Sequence, residues 1–258
     1  MEQFNHYLWL GIIVLQVVLA VKFAWIGLHL RYRAFFFWVC FQAARNAVLE
    51  LLGEGTVRFF WFWFFTEPIL VLTFVITVFE IYALALQRFR GIRTVSTRLL
   101  TLAIVIASLI SVFSILPDLQ FNASGGNEWF LLTNVIRRGI YTSLLAFLIL
   151  LVSFITIFPI TLSRNSIVHV ALFSTVFLCN AATILAMNFQ GPDVVPLVNS
   201  VSAVVSLFAF TLWIVLLTPA GETAERAVRS GVSSTEATVL LEKLRQVNDA
   251  LSTSRKRM

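Results

Sequence analysis

Seven apolar stretches separated by short polar punctuation set the pattern of this chain, at 7–28, 34–52, 59–86, 99–116, 129–158, 166–189 and 197–218. A lipid-spanning helix needs about 20 apolar residues. The pattern therefore predicts an all-α polytopic membrane protein: a seven-transmembrane-helix bundle over 1–218 and a cytoplasmic tail over 219–258. In the tail, Ser233 and Glu236 fit a capping box. Ala237, Leu240, Leu244, Val247 and Leu251 then follow a coiled-coil seam. Region 235–251 is expected to meet a second copy, a cytoplasmic partner or, as an amphipathic helix, the bilayer surface.

Polar positions inside the apolar stretches recur at helical spacing. The second stretch carries Gln42, Arg45, Asn46 and Leu49 on one face, the fifth Asn134, Arg137, Arg138 and Tyr141. The sixth carries His169, Phe173, Asn180, Thr183 and Met187, and the seventh Asn199, Ser202 and Ser206. In the third, Thr66, Leu70, Thr73, Thr77, Glu80 and Leu84 share a direction from which Glu67 is turned by about 100°. From Arg58 to Arg88 this stretch would measure about 45 Å as a helix, against a hydrocarbon thickness of about 30 Å. Either it tilts strongly, or the aromatic run FFWFWFF lies at the interface and the span begins near Thr66, with a start or kink favoured at Pro68.

Composition narrows the class. With 59% hydrophobic and 12% charged residues and a mean hydropathy of +0.89, the chain is incompatible with a water-soluble globule. The net charge of +6 is explained by topology rather than by nucleic acid. Loops 29–33, 87–98 and 159–165 hold seven arginines, whereas 53–58, 117–128 and 190–196 hold only Arg58. The positive-inside bias then puts the N-terminus outside and the C-terminus inside. No Lys or Arg precedes the first apolar run and no small-residue cleavage pattern follows it, so that run is expected to be a retained span. Cys40 and Cys179 both fall within spans and imply neither a disulfide nor a metal site.

Counted inward at 1.5 Å per residue, Arg45, Glu67, Arg137 and Arg138 all lie about 12 to 15 Å below the outer boundary, with Asn134 and Asn180 near that depth. Isolated charges in lipid are costly, so these groups are expected to meet in the bundle interior. Counting Glu50, higher on its helix, three cations face two anions. The excess positive charge fits a cavity for a small anionic or carboxylate-bearing ligand, and a self-satisfied ion network that aligns the helices is the competing reading. Lys22, Glu80 and His169 form a candidate inner polar cluster; Lys22 is read either as snorkelling or as pairing with Glu80.

The chain contains no HExxH, GxSxG, phosphate-binding glycine loop or paired-cysteine zinc pattern. His6, His29 and His169 are not spaced as haem ligands, the seventh stretch has no lysine for a retinal Schiff base, and Asp118 and Asp193 lie in loops. No enzymatic activity and no cofactor are expected. The expectation is a membrane sensor or receptor-like module; a transporter or channel and a non-binding scaffold subunit are the alternatives.

The segment FQAARNAVLELL, followed by FFWFWFFTEPILVLTFVITVFEIYALALQRF, resembles a pattern in multi-span proteins of acidobacterial genomes. The likeness covers about the first hundred residues and rests on Arg45, Glu67 and Glu80. It implies a seven-span bacterial inner-membrane protein and carries no assigned activity.

Overall fold

The computed structural model describes residues 2–53, 56–85, 105, 140, 141, 144, 161–190, 195–223, 225–227, 242 and 246. The stretches 99–116 and 129–158, apart from a few isolated positions, and the tail seam at 235–251, apart from 242 and 246, lie outside the described residues.

The described chain is almost entirely helical. Its long helices are α1 (Glu2–Trp25), α2 (Arg33–Leu52), α3 (Val57–Ala85), α4 (Arg164–Gln190) and α5 (Val195–Leu216). Among the described residues, four segments are long and apolar enough to cross a membrane: Asn5–Trp25, Arg33–Leu52, Val57–Leu84 and Pro196–Leu216. The second agrees with the sequence pattern to within one residue.

Exposure supports a membrane-embedded protein. Val14, Val17, Val18 and Val21 are exposed along α1, and Leu197, Val201, Val204, Phe208 and Val215 along α5. Their steps of mostly three or four residues place them on one face of each helix. An outer surface built of valine, leucine and phenylalanine suits lipid and not water.

The helices pack in a ring, α3 against α2, α2 against α1, α1 against α5 and α5 against α4, with a slighter contact returning from α4 to α3. The ring encloses a column of aromatic side chains. Phe35 lies 5.4 Å from Trp38 and 5.3 Å from Trp213, Trp38 lies 5.0 Å from Phe74, and Phe173 lies 5.0 Å from Trp213, between ring centroids. Several of these approaches are tilted or edge-on, geometries that add to the apolar burial each ring supplies.

Two charged side chains complete helix ends. Gly27, in the left-handed region at φ 74°, turns the chain out of α1, and a single 3-10 turn over Leu28–Leu30 leads to Tyr32. Tyr32 gives the start of α2 no side-chain cap. Glu80 of α3 supplies it, accepting hydrogen bonds from the backbone N–H of Ala34 at 3.0 Å and of Phe35 at 3.1 Å. A carboxylate there satisfies orphan donors and faces the positive end of the helix dipole. Lys22 of α1 does the converse for α5, donating to the carbonyls of Ile214 and Leu217.

α3 runs unbroken through Pro68 for 29 residues, about 43 Å. It starts at Val57, ahead of the aromatic run, so the helix itself begins neither near Thr66 nor at Pro68. One missing backbone bond is tolerated where neighbouring helices hold the remainder in place. The loop and tail root also contain β-structure absent from the sequence pattern. β1 (Thr161–Ser163) pairs antiparallel with β2 (Glu225–Ala227), joining the approach to α4 to the chain leaving α5. Between α5 and β2 lies one short helical turn, α6 (Ala220–Thr223).

Candidate functional site

At the end of the ring where α1 begins and α2 ends, the helices part around a cavity of about 1060 Å³. This is slightly above the usual range for small-molecule sites, roughly 300 to 1,000 Å³. The second helix contributes Gln42, Arg45, Asn46 and Leu49, the face read from the sequence, and with them Trp38 and Glu50. α3 adds Trp63, Glu67 and Phe74, α4 adds Asn180, and α5 adds Asn199, Ser202 and Ser206 above Phe210 and Trp213.

The strongest electrostatic feature of the wall is a buried ion pair. Arg45 Nη2 donates to Glu67 Oε2 at 2.7 Å, and the two side chains are 6% and 3% exposed. Arg45 Nε donates to Thr66 Oγ1 at 2.8 Å, so a single guanidinium fork spans two consecutive residues of α3. Thr66 in turn donates to the Phe62 carbonyl at 2.6 Å. Such a pair, desolvated and hydrogen-bonded, holds α2 and α3 in register and leaves either partner costly to remove. Next to it, Asn46 donates to Gln16 at 3.2 Å, tying α2 to α1. At the rim, His6 and Glu50 approach to 3.3 Å, and Ser200 donates to Asn5 at 2.6 Å.

The expected outer cluster is thus joined in part: Arg45 and Glu67 touch, and Asn180 lines the same cavity. Arg137, Arg138 and Asn134 lie outside the described residues. No family model, curated protein or solved structure matches the chain.

Lys22, Glu80 and His169 do not meet as an inner cluster. Lys22 and Glu80 serve the two helix ends already described, so neither pairs with the other. His169 is fully buried among rings, 4.5 Å from Phe35 and 4.6 Å from Tyr32 between centroids. Neither of its ring nitrogens has a hydrogen-bond partner among the described residues. The threonines below Glu67 turn inward on their own helix: Thr73 donates to the Leu70 carbonyl and Thr77 to the Thr73 carbonyl, each at 2.7 Å. Their hydroxyl protons are thus used within α3.

A second polar group, unforeseen from the sequence, sits at the opposite end of the ring. Glu222 Oε1 accepts hydrogen bonds from the Tyr32 hydroxyl at 2.6 Å and from Asn165 Nδ2 at 2.8 Å. Arg31 Nε lies 2.6 Å from Glu222 Oε2. Asn165 also donates to the Thr218 carbonyl at 2.8 Å. Burial, reinforced by the Glu222 carboxylate, raises the Tyr32 hydroxyl above the ordinary phenol range. Gly221 lies directly beneath Asn165, and a β-carbon there would stand 2.9 Å from Asn165 Cγ. These contacts join residues up to 190 positions apart, which no spacing rule reveals. Gln16 is different: a lone amide in mid-span is a legible signal of an interior partner.

Among the described residues, no three His, Cys, Asp or Glu side chains gather as metal ligands. Chemically, the described residues give the cavity the Arg45 guanidinium, carboxylates, amides and hydroxyls above an aromatic floor, a composition suited to binding and orienting a solute.

Proposed function

We propose that this chain is a seven-span sensor of a bacterial inner membrane, with the N-terminus outside, and that its cavity binds a small ligand bearing a carboxylate or similar anionic group. The observation that carries the reading is the cavity of about 1060 Å³ with a buried guanidinium, Arg45, in its wall. A scaffold with self-satisfied charges would have no need of such a space. Arg137 and Arg138 would add the excess positive charge that favours an anion. The reading includes no catalytic step and no cofactor.

What favours sensing over transport is the floor. A solute leaving the cavity inward would meet Trp38, Trp213, Phe35 and His169, none of them more than 1% exposed. The same column ends on Tyr32, which holds Glu222 at the root of the tail. A ligand that shifts the floor rings therefore has a packed route to the tail, since close-packed interiors transmit displacements rather than absorb them. The tail would pass the signal to a cytoplasmic partner or a second copy through 235–251.

The test is thermal unfolding of the purified protein with a panel of carboxylates, phosphates and lipids. A ligand at about a hundredfold above its Kd adds roughly 2.7 kcal/mol and raises Tm by several degrees. That rise should vanish in Ser206→Leu, which fills the cavity, and in Arg137→Gln, and persist in Lys22→Gln. If no member of the panel stabilises the wild type although Ser206→Leu remains folded, the proposal is wrong.

A further inference from the structure

We infer that the ligand of this cavity is amphipathic, with a polar head beside Arg45 and Asn46 and an apolar body about 10 Å long directed at the aromatic floor; this rests on the ligand-binding reading above.

The inference comes from one gradient repeated on three helices. Arg45 and Trp38 on α2, Glu67 and Phe74 on α3, and Ser206 and Trp213 on α5 all line the cavity, and in each pair the residues stand seven positions apart. Seven residues are two helical turns, so each pair shares a face and is separated by about 10 Å along the helix. From these three directions the wall changes from polar to aromatic at the same depth, while Trp9, Phe59 and Trp63 add rings nearer the mouth. Trp38 lies 5.8 Å from Phe210 and 5.7 Å from Trp213, so the floor is a continuous aromatic surface.

A bare anion the size of acetate would reach the polar tier and leave most of the cavity to water. Apart from the indole N–H groups of Trp38 and Trp213, which have no partner among the described residues, the floor is carbon, and it offers water few of the two to four polar partners that hold it in a buried site. An apolar body covers that floor, and its burial contributes in proportion to area. Carboxylates of this shape reach the cavity from water or from the bilayer, and the experiment below separates the two routes.

Dissociation constants would be measured for acetate, butyrate, hexanoate and octanoate on the full chain in nanodiscs, with empty nanodiscs as the control for partitioning. Affinity should rise about three- to fourfold per methylene until the body spans the 10 Å tier, then level off. Phe210→Leu, with Phe210→Ala as the larger change, should weaken octanoate about tenfold and leave acetate unchanged. The association rate of octanoate should be unchanged by added empty nanodiscs at equal free concentration if the ligand arrives from water, and should follow the bilayer-bound concentration if the route is the bilayer. Equal affinity for acetate and octanoate would overturn the inference and leave the anion-binding reading standing. Absence of binding by every member would overturn both.

Discussion

Removing Arg45 and Glu67 one at a time and then together tests the central contact of the bundle. Each side chain is almost fully buried, and the guanidinium and carboxylate meet at 2.7 Å. Arg45→Met takes this guanidinium away from the buried Glu67 carboxylate, and Glu67→Leu takes this carboxylate away from the buried Arg45 guanidinium. Breaking a buried pair from one side costs about 3 to 5 kcal/mol, whereas replacing both partners by apolar groups is close to neutral. Thr66 keeps its bond to the Phe62 carbonyl in the double variant, so no hydroxyl is orphaned there. Both charged side chains have interactions beyond this pair, so some of each single loss persists. The expected coupling is still about 2 to 4 kcal/mol, well above the few tenths at which independent sites add. The assay is reversible unfolding in mixed micelles at rising SDS fraction, followed by circular dichroism for wild type, both singles and the double. Additive losses, with a coupling below about 0.5 kcal/mol, would refute the pairing. If the double variant regains stability but no longer responds to carboxylates, the pair has a binding role beyond holding helices together.

Three further outcomes follow from the opposite end of the ring. Glu80→Ala should cost about 1 to 2 kcal/mol and speed hydrogen exchange at the Ala34 and Phe35 amides; unchanged exchange at those two positions would contradict the cap. Gly221→Ala should push Asn165 away from Thr218 and Glu222, costing about 1 to 3 kcal/mol, and should increase protease cleavage after Pro219. Tyr32→Phe should remove a pH dependence. Below about pH 10 the phenol is protonated in both folded and unfolded chains. Above that the unfolded chain releases its proton first, because the folded value is raised, and stability falls with rising pH. A wild type and a Tyr32→Phe variant with the same slope above pH 10 would contradict this.

How much of this was legible in the sequence depends on what kind of contact is in question. Helix positions follow from apolar length: α2 was expected at 34–52 and runs Arg33–Leu52. Depth is also legible, because helical rise converts residue number into height, and this put Arg45 and Glu67 at one level. Partnership is less so. Lys22 and Glu80 stand at comparable depth, yet each bonds backbone groups of another helix, and sequence spacing is silent on where a neighbouring helix starts or stops. The Thr73 and Thr77 stripe looked like a polar face because composition does not reveal that a hydroxyl can return to its own helix. Pairing of β1 with β2, and Tyr32 with Glu222, depends on long-range closure of the ring and leaves no periodic trace.

The distribution of ionisable groups along the ring has a consequence for where binding energy can come from. At the loop end, the charges are used locally. Glu80 closes α2, Lys22 closes α5, and Arg31 meets Glu222 beside the tail. Each answers a demand made by the fold itself, either an orphan backbone group or an opposite charge. At the cavity end, the ionisable groups line a space, and their neighbours Gln42, Asn180, Ser202 and Ser206 face it as well. Helix-end requirements cannot account for polar groups on five successive faces of the wall. In an otherwise apolar membrane domain such groups are held by one another, as Arg45 is by Glu67 and Asn46 by Gln16, or by water or a solute beside them. On the proposed reading, a solute that covers the aromatic floor as well as the polar tier gains more free energy than one that meets the polar tier alone.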